Sequence, residues 1–216
     1  RNPARACLFF QRTPATARDR ALFPLGASAR RSALAVAPTE EIARSLSQAG
    51  WKRVARVPYP ALGADPPPVP VPFSHLLMAG AARRNKGLGL VAGLASLWAA
   101  EGRTIPLVVQ VSKKHVNRHG RRERALVDSL LSSGYPGLRA DSTEPDRAAY
   151  AARFRGAIVL APYEREPFVS QVGGVVLDAL LHGAPVVTTR GTWPGNQVER
   201  FGAGVTGGGG RRGRRS

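Results

Sequence analysis

The sequence predicts an α/β protein built around a doubly wound, mostly parallel sheet, and three observations predict it. Short apolar runs alternate with longer stretches of helical periodicity from Ser32 onward. The apolar runs lack polar alternation, as in strands covered on both faces. The stretch Gly156 to Thr189 contains one unit complete. There, Ala157 to Ala161 stops at Pro162, and a polar loop follows with Tyr163, Glu164, Arg165, Glu166, Ser170 and Gln171. Val172, Val175, Val176, Ala179 and Leu180 then recur at helical spacing, Gly183 and Pro185 end the helix, and Pro185 to Thr189 is the next strand. Parallel strands joined through a helix require a right-handed crossover, and such sheets bind ligands in the loops at the carboxyl ends of their strands.

Taken in order, residues 1 to 32 are basic and irregular, with Leu8, Phe9 and Phe10 a strand end. SALAVA from Ser32 is a buried strand, and Thr39 to Ala49 is a helix with Ile42, Leu46 and Ala49 on one face. Gly50 ends that helix, and Val54 to Val57 is a second strand. The prolines of ALGADPPPVPVPF, residues 61 to 73, favour extended polyproline geometry and mark a boundary. Four segments follow: 1–60, a linker at 61–73, a ligand-binding domain at 74–206, and a Gly/Arg tail at 207–216 expected to be disordered. Within the third, His75 to Gly80 is a strand, and Leu88 to Ala100 is a helix expected to turn Leu90, Leu94, Leu97 and Trp98 inward. Ile105 to Val111 is a strand, 112 to 123 a basic loop, and Ala125 to Ser133 a helix closed by Gly134. A short strand within Tyr135 to Ala140 and a helix over Asp146 to Phe154, with Pro145 in its first turn, complete the pattern.

At 216 residues the chain is long enough for a sizeable core. No apolar run approaches the roughly 20 residues of a membrane span, so a cytoplasmic location is expected, with peripheral membrane contact left open. Cys7 stands alone, which removes disulfides and cysteine-built metal sites. A start at Arg1 and an end in GGGGRRGRRS read as a fragment. The formal net charge of +18 is almost all arginine, scattered among apolar strands with few aromatics, so nucleic acid is not an expected partner.

Two clusters carry candidate chemistry. Lys86 follows a strand in a glycine-flanked loop with Gly80, Arg83 and Arg84, which either clamps a diphosphate or is a solvated basic turn. Gly173 and Gly174, next to Val175, either remove Cβ atoms where the free N–H groups and positive end of a helix converge, so that a phosphate or sugar hydroxyl can approach, or simply let the helix pack tightly on its strand. Asp178, one turn further in, could accept from a ribose diol or be merely solvated. His115, His119 and Glu123 have zinc-like spacing, but Gly120 and basic neighbours argue against a metal. His75 and His182 read as structural, Trp193 as a base stacker or sheet cover, and Ser170 lacks a nucleophile elbow.

Together these residues resemble the carboxyl-terminal half of retaining nucleotide-sugar glycosyltransferases with two Rossmann-like domains, the GT-B architecture, from about Ala33 to Gly204. The family's G-R-L-x-x-x-K-G reads here Gly80-Ala81-Ala82-Arg83-Arg84-Asn85-Lys86-Gly87, so Lys86 corresponds to the donor-diphosphate lysine. Ala81 replaces the arginine, and Arg83 or Arg84 would substitute for it. The family's E-G-F-G-x-x-x-x-E-A-M corresponds to Ser170 through Leu180. Asp178 stands for the ribose-holding acid, and Ser170 replaces the acid that contacts the donor sugar, with Glu164 or Glu166 as stand-ins. HGAPVVTT resembles the family's G-x-P-V-V strand, Glu199 falls near its acidic position, and residues 33 to 60 resemble the last unit of the acceptor domain. The resemblance implies a glycosyltransferase that is metal-independent and needs no cofactor beyond a nucleotide-diphosphate-sugar donor, with an unassigned acceptor and no assigned catalytic residue. Its alternatives are a non-catalytic nucleotide-sugar-binding module and a basic nucleic-acid-binding protein.

Overall fold

The computed structural model describes residues 6–11, 27–60, 69–111 and 120–208, with backbone alone for 27–29. The chain forms two compact units: Arg1–Ala61 with Glu166–Gly173, and Leu62–Arg165 with Gly174–Ser216. Both are α/β, as expected, and every strand pairing is parallel.

In the smaller unit, strands β1 (Cys7–Phe9), β2 (Leu34–Ala37) and β3 (Val54–Arg56) lie in the order β1-β2-β3. Helix α1 (Ala27–Ser32) precedes β2 and helix α2 (Glu40–Gln48) follows it. Ile42 and Leu46 of α2 are fully covered and pack with Ala33, Ala35, Ala37 and Trp51. Thr39 caps α2, its Oγ1 accepting from Ile42 N at 3.2 Å, which satisfies one of the donors a helix start leaves open.

The larger unit contains β4 (His75–Met78), α3 (Leu88–Ala100), β5 (Leu107–Gln110), α4 (Arg121–Leu131), β6 (Leu138–Asp141), α5 (Arg147–Ala152) and β7 (Ala157–Ala161). After β7 come the short α6 (Arg165–Phe168), divided between the units, then α7 (Gly174–Leu181), β8 (Val186–Thr189), α8 (Trp193–Phe201) and β9 (Gly204–Gly207). The sheet order β6-β5-β4-β7-β8-β9 is the doubly wound Rossmann order. Chain progression runs outward from β4 through β5 to β6, then resumes beside β4 at β7 and runs the other way. The right-handed crossover rule therefore puts α3 and α4 on one face and α5, α7 and α8 on the other.

Three sequence expectations are corrected. Leu90 and Leu97 of α3 are exposed, while Leu88, Val91, Ala92 and Ala95 are buried against Leu107, Val109 and α4. A helix that is apolar all round carries no marked stripe, so its rotation is decided by how its first turn docks. Helix α4 starts at Arg121 rather than at Ala125, because Arg and Glu are good helix formers and a basic run is not thereby a loop. Pro145 lies before the cap of α5; Asp146 is the cap, its Oδ1 accepting from Ala149 N at 2.8 Å.

Helix α8 and strand β9 have no counterpart among the sequence expectations. Thr192 Oγ1 accepts from Gly195 N at 3.0 Å, Pro194 stands in the first turn, and Gly202 ends the helix in the left-handed region. The part of the predicted linker that is described, 69–73, lies in neither helix nor strand; its residues 61–68, like those of the tail from 209 on, lie outside the described residues.

Candidate functional site

The carboxyl ends of β4 and β7 meet at the point where the winding of the larger sheet reverses, which is where open α/β sheets take ligands. After β4 the chain turns at Gly80, whose φ of +74° suits glycine. Gly80 N–H donates to the Oε1 of Gln110 at 2.9 Å; Gln110 ends β5 and is buried. A Cβ at Gly80 would stand 3.0 Å from Val175 Cγ2 and 3.7 Å from Lys86 Nζ. The Lys86 ammonium thus rests against bare backbone beside Val175, the second residue of α7.

A single 3₁₀ turn, Arg84–Lys86, delivers the lysine, and the loop after β7 holds that turn. Glu164 N–H donates to Asn85 O at 2.9 Å, and a Cβ at Gly87 would lie 2.4 Å from Pro162 O. Gly87 sits at φ +87°, so glycine is required there both sterically and conformationally. Burial depresses the pKa of Lys86, and the Arg83 guanidinium depresses it further. Arg83 Nε is buried with no acceptor among the described residues. Arg84 points elsewhere, 3.8 Å from the Glu164 carboxylate, both side chains being about half exposed.

Gly174 opens α7, and a Cβ there would meet nothing within 4 Å. Close packing therefore does not explain this glycine, and its absent side chain leaves the helix start open. Asp178, half-buried in the second turn of α7, accepts from the Tyr150 hydroxyl at 2.8 Å. Tyr163, 3% exposed, also lies within the field of that carboxylate. Burial first, and Asp178 second, raise the pKa values of both phenols, so both stay protonated.

Of the ten predicted site residues, Gly80, Arg83, Arg84, Lys86, Gly174, Val175 and Asp178 belong to the larger unit. Glu166, Ser170 and Gly173 belong to the smaller one. There Glu166 is exposed in α6, Gly173 is buried, and Ser170 is buried with its carbonyl accepting from Thr39 Oγ1 at 3.4 Å. Gln110 and Tyr150 were absent from the sequence reading of the site, which had Pro162 as the end of a strand and Tyr163 in the polar loop after it. Gln110, the one polar residue closing the run LVVQ, had a sequence signal; the pairing of Tyr150 with Asp178 had none.

The other candidates take structural parts. His182 stacks on Phe154 with ring centroids 5.4 Å apart, and His75 Nε2 bonds Arg153 O at 3.1 Å. Trp193 begins α8 half-buried, and Glu199 accepts from Thr206 of β9. His115 and His119 lie outside the described residues. Among the described residues no group of three or more His, Cys, Asp or Glu could hold a metal, and no helix is long and apolar enough to cross a membrane. A cavity of about 740 Å³, lined by Phe73, Phe154, Gly156, His182 and Pro185 among others, opens at the amino ends of β7 and β8. It lies at the amino ends of the strands, whereas Lys86 follows the carboxyl end of β4.

The fold has a known counterpart. The crystal structure of TarM, a glycosyltransferase, superposes with a TM-score of 0.59 over 85% of this chain, at 9% sequence identity. At that identity the likeness establishes the fold. The chain spans 36% of the TarM chain. No protein-family profile matches the sequence, and no curated protein does.

Proposed function

We propose that the chain is the donor-binding part of a glycosyltransferase that uses a nucleotide-diphosphate sugar. The observation that carries this reading is the Lys86 ammonium, half-buried against Gly80 beside the first turn of α7, with the buried Arg83 Nε lacking an acceptor among the described residues. Two cations held together in a partly dry place repel each other, and a dianionic group between them would relieve both that repulsion and the missing hydrogen bond. The open start of α7 adds N–H donors and a positive helix end on the same side. Opposite charge fixed in place before reaction is what departure of a nucleoside diphosphate requires. The fold shared with TarM supports the transferase class.

In this reading Lys86 and Arg83 neutralise the leaving diphosphate, the amides of Gly174 and Val175 orient it, and Asp178 takes the ribose. The reaction in this reading is retaining, cytoplasmic and of the GT-B kind. Titration calorimetry of the chain with UDP and with GDP tests it. Saturable heat with one of them, strongly weakened in Lys86→Ala, is expected; no saturable heat with either overturns the reading.

One observation favours a second reading, a binding module without transfer. Ser170, where the resembled family carries an acid, is buried with its carbonyl held by Thr39. Saturable binding of a UDP- or GDP-sugar without any release of free sugar would support that alternative.

A further inference from the structure

We propose that the outer face of α3 seats on the surface of an anionic lipid bilayer. The sequence of this helix, LGLVAGLASLWAA, has no charged side chain in 13 residues, and the Ser96 hydroxyl turns back onto Ala92 O at 3.2 Å. A helix that is apolar all round is ordinarily covered all round. The fold covers one side of α3, where Leu88, Val91, Ala92 and Ala95 are buried against the sheet and α4. On the opposite side Leu90 is 66% exposed and Leu97, two turns on, 53%. Gly93 between them is also exposed, and a Cβ there would meet nothing within 4 Å.

The charges around this stripe select its occupant. Helix α4 packs beside the first turn of α3, a Cβ at Gly89 standing 3.5 Å from Leu126 Cδ2. Arg122 lies one turn before Leu126 on the same side of α4, so its exposed guanidinium flanks the Leu90 end of the stripe. Arg121 and Arg124 are exposed in the same turn. Against them α4 sets the half-buried Glu123 and the exposed Asp128, and the Glu101 carboxylate just past α3 is taken by Arg103 at 3.1 Å. The whole chain carries a formal charge of +18. A second copy would bring that same charge, and two leucines with a glycine fall well short of the roughly 800 Å² per partner of a stable protein interface. A bilayer needs no matched surface. Leucines enter below the headgroups, arginines keep their heads at phosphate level, and each cation near an anionic leaflet adds to the attraction.

The test is co-sedimentation of the full chain with vesicles of phosphatidylcholine alone and of phosphatidylcholine mixed equally with phosphatidylglycerol. Binding to the mixed vesicles at least about tenfold tighter than to phosphatidylcholine alone is expected. Leu90→Gln combined with Leu97→Gln keeps good helix formers at exposed positions, so the unfolding midpoint should stay near wild type while binding to the mixed vesicles weakens about tenfold. Arg122→Gln should weaken it about fivefold. If the double variant does not fold, Leu90→Gln alone decides, with a loss of about threefold. No binding to the mixed vesicles overturns the proposal. Equal binding by the wild-type chain and the folded leucine variant overturns it too, since net charge would then account for the attraction. A concentration-dependent dimer in light scattering that the leucine variant abolishes would assign the stripe to a second copy and overturn it as well.

Discussion

The two ends of the candidate site treat their polar atoms in opposite ways. At the Lys86 end, burial and then the Arg83 guanidinium lower the pKa of Lys86, and among the described residues Arg83 Nε finds no acceptor and no carboxylate pairs with Lys86. At the Asp178 end the carboxylate is already bonded to Tyr150, itself locked by Phe154. Both ends hang on the same sheet and flank the same helix, α7, so burial alone does not separate them. The difference is whether the fold completes its own hydrogen bonds. An end left incomplete is strained without ligand and gains from binding; a completed end gains little and instead discriminates.

The largest effect is expected from breaking the Lys86 end at its hinge. Gly87→Val puts a branched side chain at φ +87° and against Pro162 O, so the turn must move. A loss of more than about 3 kcal/mol in denaturant unfolding, together with loss of nucleotide binding, is expected. An unfolding midpoint close to wild type would show that the turn is not held as described.

Next, Lys86→Met should weaken nucleoside diphosphate binding about 30-fold, since a charged hydrogen-bonding partner is lost. Its stability should nevertheless rise slightly, because a partly dehydrated cation beside Arg83 is removed. Calorimetry and thermal melting on the same samples check the pair of effects. A fall in both would mean that Lys86 serves the fold and would erase the contrast between the two ends.

A smaller effect sharpens the same contrast through protons. The pKa of Lys86 lies below its ordinary 10.5 in the folded chain, and a bound anion pushes it back up. Nucleotide binding at alkaline pH should therefore take up protons, a fraction that vanishes toward neutral pH. Binding heats compared across buffers of different ionisation enthalpy read that uptake directly, and Lys86→Met should lose it.

The smallest effect concerns an ion pair at the end of α5, the helix that carries Tyr150. Asp141, at the end of β6, has a pKa below its ordinary 3.8, lowered first by hydrogen bonds from Thr143 and then by the Arg153 guanidinium with which it forms an ion pair. A depressed carboxylate pKa contributes stability at pH values above the unfolded-state pKa, and this stability is lost as pH falls through the folded-state one. Melting temperature should decline below about pH 4, the ordinary aspartate range, and Asp141→Asn should flatten that decline. An Asp141→Asn chain with the wild-type acid profile would remove Asp141 as its source.

Much of the fold was legible in the chain. Ala157 to Ala161, Leu88 to Ala100 and the helix entry at Pro38-Thr39 are read correctly, because apolar runs, glycine stops and helix-start residues act over a few neighbouring residues. The failures are of another sort. The buried face of α3 went wrong at Leu90 and Leu97 because the helix carries no charge anywhere along its length to mark an outside. Helix α8 was passed over although Thr192, Pro194 and Gly202 are ordinary start and stop residues.

For the site, the sequence by itself determined the chemical inventory: a lysine and arginines in a glycine-flanked turn after one strand, a glycine pair opening a helix after another, and an acid one turn further in. Only the tertiary structure decided the pairings. It set Lys86 against Gly80 and Val175, gave Asp178 to Tyr150, and left Arg83 Nε without a partner among the described residues. The physical reason is range. Caps, turns and periodicity depend on residues a few positions apart, whereas the neighbours that dehydrate a charge or complete its hydrogen bonds arrive from strands and helices tens of residues away, once the sheet has brought their ends together.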